Sequence, residues 1–134
     1  MNNNLNNIYE ALEKAEFDKE VGISIAPLTG NSDFSLFAAE IAPNTKIGAH
    51  YHKHEHEIYQ LLEGSGKMYT GIPDKNNKVK WNEPFEVKKG DCFTINEGVV
   101  HQLFNSSNQK MIVLFGCSKS HLENDRFVVK GIDV

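Results

Sequence analysis

The sequence predicts an all-β fold, a closed or two-sheet jelly-roll barrel preceded by a short helix. Three observations lead there. Short apolar or alternating runs recur after Pro27, turn-forming clusters separate them at roughly ten-residue spacing, and the chain lacks the alternating helical segments that βαβ units need. Closing such a sheet removes the unpaired edges that many short strands would otherwise expose.

The elements follow in order. Residues 1–7 are Asn-rich and read as a frayed end. Ile8, Leu12 and Ala15 then recur at helical spacing through IYEALEKAEF, which predicts a short amphipathic helix. Val21 to Ala26 alternates apolar and small residues and reads as a strand that two copies could exchange. The runs after it are Phe34 to Ile41, Glu57 to Leu62, Lys67 to Ile72, Phe85 to Val87, Cys92 to Ile95, Val99 to Phe104 and Met111 to Phe115. Turn clusters close them, among them Pro43-Asn44 and Glu63-Gly64-Ser65-Gly66. The second of these lacks the Lys-Ser/Thr and the following helix of a phosphate loop, so it reads as a hairpin turn. The tail SHLENDRFVVKGIDV suits a short helical turn and an edge strand. One domain over residues 1–134 is expected, with an extension over 1–20, a barrel over about 21–118 and a tail over 119–134.

Composition narrows the function. Hydrophobic residues make up 40% and charged residues 24%, a globular balance that excludes wholesale disorder. Lys and Arg number 14 against 18 Asp and Glu, a net charge of −4, and no basic cluster stands out. Nucleic acid and anionic membranes are therefore not expected partners. The opening MNNNLNNIYE lacks the basic and apolar regions of a secretion signal, and no apolar run reaches the length of a membrane span. A cytoplasmic protein is expected. Cys92 and Cys117 form no CxxC pair, and each sits in an apolar stretch, which predicts two buried, reduced thiols.

Six histidines are the outlier, and four of them, His50, His52, His54 and His56, lie within seven positions. In a strand, His50 and His52 point to one face, where two imidazoles can bind one metal. Glu57 follows after a turn-like stretch and opens the next strand. His101 lies early in VVHQLF, on a distant strand that can face the same barrel interior. Three His and one Glu make a mixed N/O set suited to a divalent transition metal: Fe, Mn, Ni, Co, Cu or Zn. Spacing alone also admits a shifted pair such as His52 and His54, because all four clustered histidines share parity.

At these residues the chain resembles the cupin superfamily, whose two motifs are G-x5-H-x-H-x3,4-E-x6-G and G-x5-P-x-G-x2-H-x3-N. The first is matched by Asn44, His50, His52, Glu57 and Gly64, the second by Gly90, Asn96, Gly98, His101 and Asn105. The resemblance implies a double-stranded β-helix with His50, His52, Glu57 and His101 as metal ligands, and the six residues between Glu57 and Gly64 select His50 over the shifted pair. Asn44 stands where the pattern has Gly, and Asn tolerates the positive φ of such a turn. Asn96 stands where it has Pro, losing a fixed φ but gaining a side chain that can bond its own backbone.

Four protein ligands leave one or two positions for a small molecule with adjacent oxygens. Because the superfamily spans dioxygenases, decarboxylases, isomerases and non-catalytic binding domains, the fold does not name the reaction. The leading expectation is a metal-dependent oxygenase or isomerase of a hydroxy-carbonyl or sugar-like compound, with Glu57 and Tyr59 as catalytic candidates. Tyr59 shares a face with Glu57 and can donate a hydrogen bond there, although an inward Tyr also suits plain core. The alternatives are a barrel that binds or senses a sugar, a carboxylate or the metal, and a metal-free structural barrel. Tyr69 and Phe115 read as core, Gln102 as turned away from His101, and His54 and His56 as loop histidines at the barrel mouth. Asp125 and Arg126 read as a surface ion pair. A homodimer is expected.

Overall fold

The computed structural model describes residues 5–134. Helix α1 (Ile8–Glu13) is followed by strands β1 (Glu16–Asp18), β2 (Ile23–Gly30), β3 (Ser35–Ile41), β4 (Thr45–Lys46), β5 (His50–Tyr51), β6 (Glu57–Glu63) and β7 (Ser65–Pro73). Strands β8 (Val79–Trp81), β9 (Phe85–Lys88), β10 (Cys92–Ile95), β11 (Val100–Asn105) and β12 (Met111–Cys117) complete the barrel. A single 3₁₀ turn (Lys119–Leu122) and β13 (Phe127–Val128) form the tail. One sheet runs β1-β2-β3-β12-β6-β10 and the other β13-β5-β11-β7-β8, with β4 also on β11 and β9 also on β7. The strand pairs are antiparallel throughout.

The apolar runs form strands because alternate residues fill the space between the sheets. Phe37, Ala39, Ile41, Leu61, Met68, Leu103, Met111 and Val113 are all buried there. Fully burying such an aliphatic side chain contributes roughly 1.5–3 kcal/mol, so the two inner faces hold the sandwich together. Tyr69 and Phe115 are buried as well, Phe115 stacked on Phe37 with ring centroids 5.3 Å apart. The β6–β7 connection at Gly64 is the hairpin read from the sequence; φ is +91° there, and an added Cβ would lie 3.0 Å from the Lys110 carbonyl oxygen. Asn44 does adopt a positive φ, +53°. The Asn96 turn closes through the main chain, with the Val99 amide donating to the Asn96 carbonyl at 3.2 Å.

Several expectations need correction. Of the stretch read as frayed, residues 1–4 lie outside the described residues, but Asn6 and Asn7 are held: Asn6 donates to the Leu28 carbonyl, and Asn7 caps α1 through the Tyr9 and Glu10 amides. Cys92 is exposed, because its side of β10 faces away from the core; Cys117 is fully buried. Asp125 and Arg126 do not pair at the surface. Asp125 turns inward and is buried, whereas Arg126 reaches Asp18 at 2.8 Å and Glu20 at 3.0 Å. The short strands β1, β4 and β8 carry no alternation long enough to read from sequence.

Candidate metal centre

Strand register brings the site together. His50 on β5 lies directly opposite His101 on β11. His52 follows two residues later, just past the end of β5, and Glu57 opens β6 on the other sheet, opposite Ile95. The imidazole centroids of His50, His52 and His101 are 4.3–5.4 Å apart, and one donor atom from each imidazole and from Glu57 lies within 4.8 Å of the others. All four side chains are buried, His101 completely.

Hydrogen bonds fix the tautomer of each ring. His50 Nδ1 lies 2.7 Å from the Gly48 carbonyl oxygen, His101 Nδ1 3.1 Å from that of Val99, and His52 Nδ1 2.6 Å from that of Asp125. A carbonyl only accepts, so each Nδ1 carries a proton and in the neutral ring each Nε2 presents a lone pair. His52 Nε2 and His101 Nε2 are buried without a hydrogen-bond partner, 3.3 and 3.1 Å from Glu57 Oε1. Lone pairs facing a carboxylate oxygen repel unless a cation lies among them. Metal bonds of about 2.1 Å opening at about 90–105° hold donor atoms about 3.0–3.3 Å apart, which these distances match. The residues therefore fit a divalent metal ion.

Electrostatics point the same way. Burial alone raises the Glu57 carboxyl, but the adjacent imidazoles of His101, His121 and His52 outweigh it and hold Glu57 well below the usual carboxylate range, ionised. Burial, reinforced by repulsion from His101 and His52, holds His50 well below the ordinary imidazole range. Tyr59 points inward as expected. Its hydroxyl donates to Glu57 Oε1 at 3.1 Å, and burial beside that carboxylate raises it well above the ordinary phenol range. Tyr59 thus orients Glu57 and keeps its proton.

His54 and His56 lie on the exposed turn between β5 and β6. Gln102 faces away from the cluster and bonds the Ile47 carbonyl and the Ile132 amide. Sequence reasoning missed His121. The 3₁₀ turn delivers it as a fully buried ring stacked on His52, with centroids 4.0 Å apart and planes within 2°. Its Nδ1 lies 3.6 Å from Glu57 Oε2, and its Nε2 lies 2.6 Å from the His54 carbonyl oxygen. Asp125, read from the sequence as half of a surface ion pair, instead accepts the Lys53 and His54 amides on its carboxylate at 2.8 and 3.0 Å, clamping the histidine turn. A cavity of about 30 Å³ adjoins the cluster, walled by Ile23, Ile41, Leu103, Val113 and Phe115, with Leu122 and Arg126 of the tail at its rim. It holds one or two molecules of water size.

Comparison with known proteins completes the description. Residues 37–117 match the family model described as a cupin domain. Germin-like protein 12-1 of Oryza sativa subsp. japonica is 30% identical over 102 residues, covering 73% of this chain and 44% of that protein. The chain thus spans less than half the length of the germin-like relatives it matches. A Klebsiella pneumoniae protein described as having a double-stranded β-helix domain superposes with a TM-score of 0.68 at 16% identity, covering 95% of this chain and 97% of that one. The capsular polysaccharide assembling protein CapF from Staphylococcus aureus gives 0.71 at 17% identity over 87% of this chain and 32% of its own. With two antiparallel sheets, both histidine motifs in register and the family model spanning more than half of its residues, the chain belongs to the cupin family.

Proposed function

We propose that the chain is a metal-dependent enzyme that acts on a small molecule with adjacent oxygens, holding a divalent transition metal (Fe, Mn, Ni, Co, Cu or Zn) on His50, His52, Glu57 and His101. The observation behind it is the pair of buried, partnerless Nε2 atoms aimed at one ionised carboxylate oxygen. When bound, such an ion supplies Lewis acidity and, where it is redox-active, electrons. The protein's own part is orientation and enclosure. Carbonyls fix the imidazole tautomers, Tyr59 fixes Glu57, and a largely apolar wall bounds the adjoining space.

The site suits an oxygenase or an isomerase. Moving a proton between carbon atoms needs a free base beside the substrate. Here the ionisable groups at the cavity are the cluster itself, Tyr59, His121 and Arg126; Tyr59 is engaged by Glu57 and Arg126 by Asp18 and Glu20, whereas His121 Nδ1 is buried without a hydrogen-bond partner, so the site offers an isomerase its base as well. CapF, named for capsular polysaccharide assembly, supports the sugar-like alternative, but its likeness is one of fold. The same four-residue cluster supports a second reading, a non-catalytic cupin that binds or senses a small sugar, a carboxylate or the metal. The test is O₂ consumption by Fe(II)-, Mn(II)- and Zn(II)-loaded protein with hydroxy-carbonyl compounds, wild type beside His101→Ala. Metal-dependent uptake that disappears in the variant is expected. Anaerobic conversion of the compound would move the reading to an isomerase, and thermal stabilisation by the compound without turnover would move it to a binding protein.

We place this chemistry in a single cupin domain, in the cytoplasm and in a homodimer. Free thiols at Cys92 and Cys117 suit a reducing compartment. Among the described residues, no helix is long and apolar enough to cross a membrane. The open edge strand β1 exposes Phe17, a feature that pairing with a second copy would cover. A light-scattering mass of one chain would reject the dimer.

A further inference from the structure

The two oxygens of Glu57 face different partners. Oε1 faces His52, His101 and the Tyr59 hydroxyl, whereas Oε2 faces His121. Beside this pair stands Cys117, the last residue of β12, fully buried; one donor atom each from Glu57, Cys117 and His121 lies within 4.8 Å of the others. His121 Nδ1 is itself buried without a hydrogen-bond partner. Because His121 Nε2 bonds the His54 carbonyl, a neutral ring must present its Nδ1 lone pair to Oε2. Their separation of 3.6 Å is too long for a hydrogen bond but suits two ligands of one ion: bonds of about 2.1 Å opening at about 110–120° span about 3.4–3.6 Å.

We propose that Glu57, Cys117 and His121 form a second metal position, with the Glu57 carboxylate bridging it to the first. One thiolate, one imidazole and one carboxylate oxygen select a thiophilic ion, Zn²⁺ or Co²⁺ among divalent ions or Cu⁺. On binding, the Cys117 thiol loses its proton to solvent and the thiolate sulfur bonds the ion. Nothing in the side chains needs to travel far. His121 is held by its stacking on His52 and by the 3₁₀ turn, and the end of β12 is fixed by its pairing with β3 at Ser35. The position shares Glu57 with the proposed centre, but its signature differs: only the second position contains sulfur.

The test is stepwise Co²⁺ titration of the metal-stripped 134-residue chain bearing Cys92→Ser, so that Cys117 is its sole thiol. Thiolate-to-cobalt charge transfer absorbs in the near ultraviolet, and imidazole and carboxylate ligands give no such band. Two equivalents are expected, the charge-transfer band rising with one of them. Cys117→Ser and His121→Ala should each reduce the stoichiometry to one and remove or weaken the band, and the equivalent that remains shows that the variant is folded. His101→Ala should weaken the other equivalent and leave the band. One equivalent without a band in the Cys92→Ser protein would overturn the second position and leave the first intact. Two equivalents without a band would do so too. A band with no sulfur-free equivalent would sink the first centre instead.

Discussion

Glu57 is met from two sides, and the two sides are held differently. The strand ends carrying His50 and His101 tie each ring to the carbonyl two residues earlier, Gly48 and Val99, so local backbone geometry aims both imidazoles. The tail carrying His121 has no such local tie. It is docked by Asp125 on the histidine turn, by Phe127 stacked on Tyr51 and by Arg126 on Asp18 and Glu20. His52 belongs to both sides, because its Nδ1 depends on the Asp125 carbonyl. A ligand aimed by its own strand is robust to changes elsewhere, whereas one aimed by a docked segment is only as secure as the docking.

The largest effect tests the strand side. His101→Ala should lower the affinity for the first metal by more than about 100-fold, since losing even a supporting partner of a ligand costs about 10–100-fold. Elemental analysis and competition with a chromophoric chelator read this directly, and an affinity within threefold of wild type would break the comparison. Next comes the docking. Asp125→Ala removes two charge-assisted hydrogen bonds to the turn and should cost about 2 kcal/mol in urea unfolding, reduced from a fully buried case because water can reach those amides. Asp125→Asn, which keeps an acceptor, should cost less; equal costs would mean that the carboxylate does not clamp the turn.

Proton linkage separates the sides more finely in the metal-free protein. His50 titrates below its unfolded value of about 6.5, so the unfolded chain takes up the extra proton and acidification below about pH 6.5 favours unfolding. His121 has the opposite sign. Burial lowers it, but Glu57 and the His54 carbonyl outweigh that and raise it, so its stabilisation is full below about pH 6.5 and is lost as pH climbs through the raised folded value. In thermal melts the penalty of His50→Gln should shrink from pH 7.5 to 5, and that of His121→Gln should shrink from pH 6 to 8. The same trend with pH in both would contradict the assignment. The smallest effect is expected at His54→Ala and His56→Ala. Both side chains are exposed, and each change should stay within about 0.5 kcal/mol in the same unfolding assay.

How much of this was legible follows the same division. Alternation along a strand is a local rule, so Glu57, Tyr59 and Leu61 could be placed on one inward face and are found buried. The cupin-like motifs named the group that β5, the residue after it, β6 and β11 bring together, where histidine spacing alone left a shifted pair open. Cys92 misled because an apolar neighbourhood does not say which face of β10 meets the core. His121 was invisible and Asp125 misplaced because a single 3₁₀ turn offers no periodicity, and the bonds that place them join residues about seventy positions apart. Their only sequence signal was a His and an Asp four residues apart in a tail with little other apolar pattern.

The pairing of His50 with His101 also sets an order of events in time. These residues are fifty-one positions apart in sequence, so the chain must close a long loop before both imidazoles can meet one ion. An ion that binds all three imidazoles and Glu57 together finds its full site only after the costly part of folding is over. Such an ion would leave the folding rate nearly unchanged and slow unfolding, giving the barrel persistence rather than speed.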